Sequence, residues 1–200
     1  MSDRWIESAI RDEIRTSIEV RQELLEGDAV ERIAHVAEVL SAACANGGKV
    51  LVFGNGGSAA DAQHIAAEFV GRFRRDRRPL PALALSADIA SITAVGNDYA
   101  FEAVFERQVE AHGVAGDVAI GLSTSGASEN VIRGIRAAKR RGLTTVGVSG
   151  EAGPLRNEVE YALCIPATDT ARIQEAYMLV CHMLCEVVER TLFGSAAGDA

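Results

Sequence analysis

Five short runs rich in Val, Leu and Ile, each ending at a polar or glycine-containing turn, alternate along this chain with segments of helical spacing. The runs occupy residues 49–55, 80–86, 117–123, 144–149 and 161–167, and read as strands buried on both faces. Helical spacing lies between them at 58–72, at 89–95 with 101–112, and at 129–141. Repeated alternation of strand and helix requires right-handed crossovers. The expected class is therefore α/β: a doubly wound, flavodoxin-like five-stranded parallel sheet with helices on both faces. With 200 residues, 48% of them hydrophobic, the chain can bury one substantial core but would crowd a second, so one domain over 1–200 is expected.

Two further helices precede the first strand, within residues 1–47. Ile6, Ile10, Ile14 and Ile18 recur at a four-residue spacing that drifts slowly around a helix and draws one long apolar stripe. Ile33, Val36, Val39 and Leu40 do the same in the second. A last helix, from about 170 to 192, carries Ile173, Tyr177, Val180, Leu184 and Val188 and is too long for the sheet alone to cover. These stripes pack either within the chain or as a bundle between subunits. The small polar end, 194–200, reads as a fraying tail.

The formal net charge of −8 argues against a broad footprint for nucleic acid or an anionic membrane. Asp3, Arg4, Glu7 and Asp12 interrupt the start, and no apolar run approaches the ~20 residues of a membrane span, so the chain reads as soluble and cytoplasmic. Cys44, Cys164, Cys181 and Cys185 contain no Cys-x-x-Cys pair, and disulfides are not expected. The partner should be a small molecule or another protein.

In open parallel sheets ligands bind beyond the C-terminal strand ends. Two loops fit. Gly54-Asn55-Gly56-Gly57-Ser58-Ala59 follows the first strand and opens a helix. It also satisfies Gly-x-Gly-x-x-Ala, but a dinucleotide site would need an acidic residue roughly 20 positions on, and Asp88 lies beyond that. Ser123-Thr124-Ser125-Gly126-Ala127-Ser128 ends the third strand, and its four hydroxyls can donate to a phosphate beside a helix N-terminus. The plainer alternative is a hydroxyl-rich turn with Ser128 as a helix cap.

His64 and Glu68, four apart on the helix after the glycine loop, share one face and can act on one ion or one substrate. A plain surface hydrogen bond is the other reading. Gln174 and His182 lie on the last helix, where each alone is also compatible with a satisfied buried polar group. Eight residues rotate a helix about 80° and advance it about 12 Å, so the two do not share a stripe. If both serve one ion, copies from different subunits are expected to complete each site.

Taken in order, Gly54-Asn55-Gly56-Gly57-Ser58-Ala59, Gln63-His64-Ile65-Ala66-Ala67-Glu68, Gly96-Asn97-Asp98-Tyr99, Ser123-Thr124-Ser125-Gly126 and Ala171-Arg172-Ile173-Gln174-Glu175 give a chain that resembles the phosphoheptose isomerases of the sugar isomerase (SIS) domain superfamily. The resemblance implies conversion of sedoheptulose 7-phosphate to an aldoheptose 7-phosphate, usually D-glycero-D-manno-heptose 7-phosphate, for nucleotide-heptose synthesis. It implies a homotetramer with active sites at subunit interfaces and one Zn2+ per site. By the family pattern His64, Glu68, Gln174 and His182 surround the metal. Asn55, Gly56, Gly57, Glu68, Asn97, Asp98, Ser123, Thr124, Ser125, Ser128 and Gln174 contact substrate, and Glu68 and His182 match the catalytic positions.

Those residue types suit the chemistry, because aldose–ketose exchange through an enediol needs a base for a carbon-bound proton and an acid for the oxygens. Glu68 is the expected base and His182 the acid, an imidazole being suited to titrate near neutrality. Tyr177 departs from the pattern, since many relatives carry histidine there; it reads as a packing replacement or as a change of substrate preference. Arg72, Arg74, Arg75, Arg77 and Arg78 form a basic run that reads as a solvated loop or as an attractor of anionic substrate. Two rivals share the fold: a non-catalytic SIS protein that binds the replication initiator, and another sugar-phosphate isomerase or sensing domain with a different acid–base set.

Overall fold

The computed structural model describes residues 3–194. Its five strands, β1 (Val50–Gly54), β2 (Ala82–Ala84), β3 (Val118–Ser123), β4 (Thr144–Gly150) and β5 (Tyr161–Ile165), form one all-parallel sheet in the order β2-β1-β3-β4-β5. This is the flavodoxin-like order expected above. Around it lie α1 (Asp3–Glu26), α2 (Ala29–Ala45), α3 (Gly57–Val70), α4 (Ile89–Asp98), a 3-10 turn (Phe101–Ala103), α5 (Val104–His112), α6 (Glu129–Arg140), α7 (Leu155–Glu158) and α8 (Thr170–Phe193).

The two-residue period of the strands divides the core in two. Val50, Val52, Ile120, Val146 and Val148 face one side, packed against Leu40, Ile65, Phe69, Val180 and Leu184 from α2, α3 and α8. Leu51, Phe53 and Ala119 face the other, against Phe105, Val109, Val131 and Ile135 from α5 and α6. Helices therefore cover both faces, as the apolar runs require.

The structure refines the sequence reading at four points. β2 spans three residues instead of seven because Pro81 lacks the N–H that an earlier start would need, and because the chain turns directly after Ala84, with Ala87 N bonded to Ala84 O. α7, only four residues long, has no periodicity for a sequence pattern to reveal. Cys44, Cys181 and Cys185 are buried, but Cys164 lies on the edge strand β5 and is half-buried. In α1, Val20 and Leu24 reach the core, whereas Ile6, Ile10, Ile14 and Ile18 are 44–55% exposed, so packing within the chain does not cover that stripe. Apart from Gly194, the tail lies outside the described residues. No helix among the described residues is long and apolar enough to cross a membrane.

At the N-terminal edge of the sheet, buried Asp117 accepts from Lys49 N and Val114 N, both at 2.9 Å, and from Lys49 Nζ at 2.5 Å. Asp117→Ala strands two backbone donors and an ammonium there, far from the strand ends that form ligand sites. Urea unfolding should register a loss of about 2–3 kcal/mol.

Candidate active site

The strand order reverses between β1 and β3, and both candidate loops leave the sheet there side by side, with Gly54 of β1 in register with Leu122 of β3. Gly56 turns the first loop at φ 55°, a conformation that favours glycine. Asn55 and Asn130, the second residue of α6, exchange two amide hydrogen bonds of 2.8 Å and so tie the glycine loop to the helix that opens after the hydroxyl loop. In that second loop Ser123 Oγ and Ser128 Oγ lie 3.0 Å apart, and Ser125 Oγ accepts from Ala127 N. Ser128 occupies the N-cap position of α6 without a side-chain cap bond, so its hydroxyl faces Ser123 across the loop. Asp88, the weighed dinucleotide residue, instead caps α4 by accepting from Ser91 N at 3.1 Å.

α3 and α8 run side by side, joined by polar contacts. Tyr177, fully buried, donates to Asp61 Oδ2 at 2.9 Å; its one proton thus used, it accepts from Ser58 Oγ at 2.7 Å. Burial pushes its hydroxyl well above the ordinary phenol range, which keeps it a donor. Gln174 Nε2 donates to the same Asp61 oxygen at 2.7 Å.

Two turns further along α8, His182 Nε2 lies 3.2 Å from His64 Nε2, which is 3.1 Å from Glu68 Oε1. One ligand atom from each of the three residues falls within 4.8 Å of the others. The Phe73 ring stacks on His182 at 5.4 Å with 23° between planes. Cys185 is pushed by burial to about 12 and Cys181 is likewise raised by burial, so both remain thiols beside the cluster at neutral pH.

Two imidazole nitrogens aimed at one another need either a proton or a cation between them. A tetrahedral ion with bonds of about 2.0–2.1 Å separates its ligand atoms by roughly 3.3 Å, close to the two spacings here. The His–His–Glu donor set therefore fits a zinc-type cation.

The SIS domain family profile matches residues 14–150. Phosphoheptose isomerase from Roseiflexus sp. is 52% identical over 191 residues, covering 95% of this chain and 94% of that protein. The solved phosphoheptose isomerase of Neisseria gonorrhoeae superposes with a TM-score of 0.87 at 39% identity, covering 92% of this chain and 98% of the other. That of Francisella tularensis superposes at 0.88 with 35% identity, covering 92% and 97%. The chain belongs to the phosphoheptose isomerases of the SIS domain family.

Within this family member, one chain alone brings His64, Glu68 and His182 together, so these three need no second copy. Gln174 is engaged elsewhere, by Asp61, about 12 Å up α8 from His182. Asn97 and Asp98 end α4, exposed and hydrogen-bonded to each other at 2.8 Å. The basic run is not a uniformly solvated loop, because the Arg77 side chain is 2% exposed and paired with Glu189 at 1%. Burial alone would raise the Glu189 carboxyl, but N–H groups of Arg74 and Phe73, the Arg77 charge and the Arg75 N–H outweigh it and hold the group below its usual value. Asn130, Asp61, Phe73 and Glu189 carry no signal in their local sequence, since their partners are distant along the chain.

Tyr177 is thus a buried link between α3 and α8, which favours the packing reading of this departure. Tyr177→Phe removes the donor to Asp61 and leaves Ser58 short of an acceptor. Calorimetry should show a loss of about 1–2 kcal/mol.

Proposed function

We propose that this chain interconverts sedoheptulose 7-phosphate and D-glycero-D-manno-heptose 7-phosphate, or a closely related aldoheptose 7-phosphate, through an enediol that leads into nucleotide-heptose synthesis. The observation that carries the reading is the convergence of Glu68, His64 and His182 from two helices in a chain about half identical to phosphoheptose isomerases. Four free thiols suit the cytoplasm.

The Glu68 carboxylate has two oxygens; one faces His64, and the other takes the proton from the carbon beside the carbonyl. His182 delivers or removes the proton at the opposite oxygen, its ring held face-on by Phe73. A zinc ion held by His64, Glu68 and His182, with Gln174 as a further family-pattern ligand, would polarise the carbonyl and stabilise developing negative charge. Ser123, Thr124, Ser125 and Ser128 anchor the phosphate, and Asn55, Gly56 and Gly57 line the approach. Remote binding energy then positions the reacting carbons.

The same geometry supports a homotetramer with active sites shared between subunits. Glu68 lies eleven residues beyond Gly57, about 16 Å along α3, whereas the substrate spans about 9 Å from its carbonyl carbon to phosphorus, seven bonds that each advance an extended zigzag by roughly 1.3 Å. A loop from one copy and a cluster from another can meet on one sugar, and Asn97, Asp98 and Gln174 can then join from neighbours. The exposed isoleucine stripe of α1, and a groove of about 330 Å³ lined by Val30, Phe73, Leu179, His182 and Met183, suit apolar partner helices better than a polyol. The initiator-binding rival has no need of an acid–base cluster.

NMR with sedoheptulose 7-phosphate should show aldoheptose forming. Glu68→Gln should lower turnover about 10²–10⁴-fold while substrate still binds by calorimetry; near-normal turnover overturns the assignment. Light scattering after size exclusion should give a tetramer, and mixing Glu68→Gln with Ser125→Ala subunits should regain activity that neither has alone. An active monomer overturns the shared site.

A further inference from the structure

The stretch from Gly71 to Pro81 forms neither helix nor strand, yet it holds one of the most buried ion pairs of the described residues. Glu189 Oε1 accepts from Arg77 Nε at 2.9 Å and from Phe73 N at 2.8 Å; Oε2 accepts from Arg74 N at 2.9 Å and Arg75 N at 3.2 Å. The Arg77 guanidinium faces the opposite way along the chain. Its Nη2 donates to Glu68 O at 2.7 Å, and its Nη1 to Phe69 O at 2.7 Å, with longer bonds to Arg78 O and Gly71 O.

The backbone groups gripped at the two ends of this pair are those that carry the acid–base machinery. Glu68 sits in the last turn of α3, where carbonyls lack helical partners and helices fray. Gly71 N donates to Ala67 O and Leu80 N to Phe69 O, while Arg77 supplies the partner of Glu68 O and a second one of Phe69 O. Phe73, whose ring stacks on His182, is held by its N–H to Glu189. We propose that Arg77 and Glu189 are positioning residues for the isomerisation: together they fix the α3 terminus under Glu68 and the ring that orients His182. The inference rests on the roles assigned above to Glu68 and His182.

A purely structural tie makes a different forecast. Buried pairs can often be replaced together by apolar side chains without loss of stability, whereas the hydrogen bonds to Glu68 O and Phe73 N have no apolar substitute. Arg77→Lys keeps the charge beside Glu189 but loses the planar fork, and R77M/E189M removes both charges at once. In the tetramer Arg77→Lys should keep its melting midpoint near the parent's, whereas R77M/E189M, which leaves the N–H groups of residues 73–75 and the carbonyls of Glu68 and Phe69 bare, should melt lower. In each folded variant kcat should fall about ten- to a hundredfold while KM stays within about twofold. Parental kcat in either folded variant, or a change in KM alone, overturns the proposal. Should the double variant not fold, Arg77→Lys decides.

A second readout needs neither substrate nor metal. The chain has four histidines, and His35 and His112 lie away from the pair. In Arg77→Lys the NMR ring signals of His64 and His182 should shift and broaden, with those of His35 and His112 unmoved. Four parental spectra reject the inference. An inactive parent whose His64 and His182 signals still respond to Arg77→Lys rejects the isomerase reading instead.

Discussion

The register between α3 and α8 is the constraint on which the site depends. The two helices follow β1 and β5, both run back along the same face of the sheet, and so lie parallel to one another. Their apolar contacts, Ala62, Ile65, Ala66 and Phe69 against Val180, Cys181, Leu184 and Val188, would tolerate a small slide, because dispersion is not directional. The polar contacts would not. In order along both helices, Ser58 and Asp61 meet Tyr177 and Gln174, His64 and Glu68 meet His182, and the end of α3 meets Glu189 through Arg77. A slide of one residue, about 1.5 Å, would break hydrogen bonds at both ends while separating the imidazoles between them.

That ordering gives Tyr177 its place in the seam. Tyr177 reaches Ser58 and Asp61 with a single hydroxyl acting as donor and acceptor, and its ring is buried in the core cluster of α2, α3 and α8. Asp61 then accepts from Tyr177 and Gln174 through one oxygen. Tyr177 therefore belongs to the upper contact of the seam, a turn and more away from His182, apart from the donor cluster.

How much of this was legible beforehand follows from the range of each interaction. Parallel strands buried on both faces are continuous apolar runs, so β1, β3, β4 and β5 stand out from local sequence; the run around β2 is longer than the strand because Pro81 limits the ladder on one side and the turn at residues 85–86 on the other, neither of which interrupts the apolar character of the run. His64 and Glu68 were legible as a pair because a helix places i and i+4 together. His182 stands out on the last helix by itself, but its pairing with His64 and Glu68 came only from resemblance, since 118 residues separate it from His64 and no periodicity spans that gap. Arg77 was hidden in a run of arginines that looks alike whether its members are solvated or buried, and its partner lies 112 residues on. Asn130 was hidden for the same reason, 75 residues from Asn55.

An ion pair rather than two apolar residues occupies the end of the seam for a reason that lies in the backbone. Between α3 and β2 the chain makes a tight excursion against α8 without regular structure, so its N–H and C=O groups have no ladder to join. Buried backbone groups must find partners; Leu80 N reaches Phe69 O at 3.0 Å, and side chains supply partners to Glu68 O and to the N–H groups of residues 73–75. A carboxylate can take several N–H donors at once, and a guanidinium can serve several carbonyls from one plane. Facing each other, Glu189 and Arg77 satisfy the donors of 73–75 and the acceptors at the end of α3, and each offsets the charge the other brings into the core. Apolar side chains could fill the space but would leave those backbone groups bare, beside the carboxylate and imidazole whose spacing matters most.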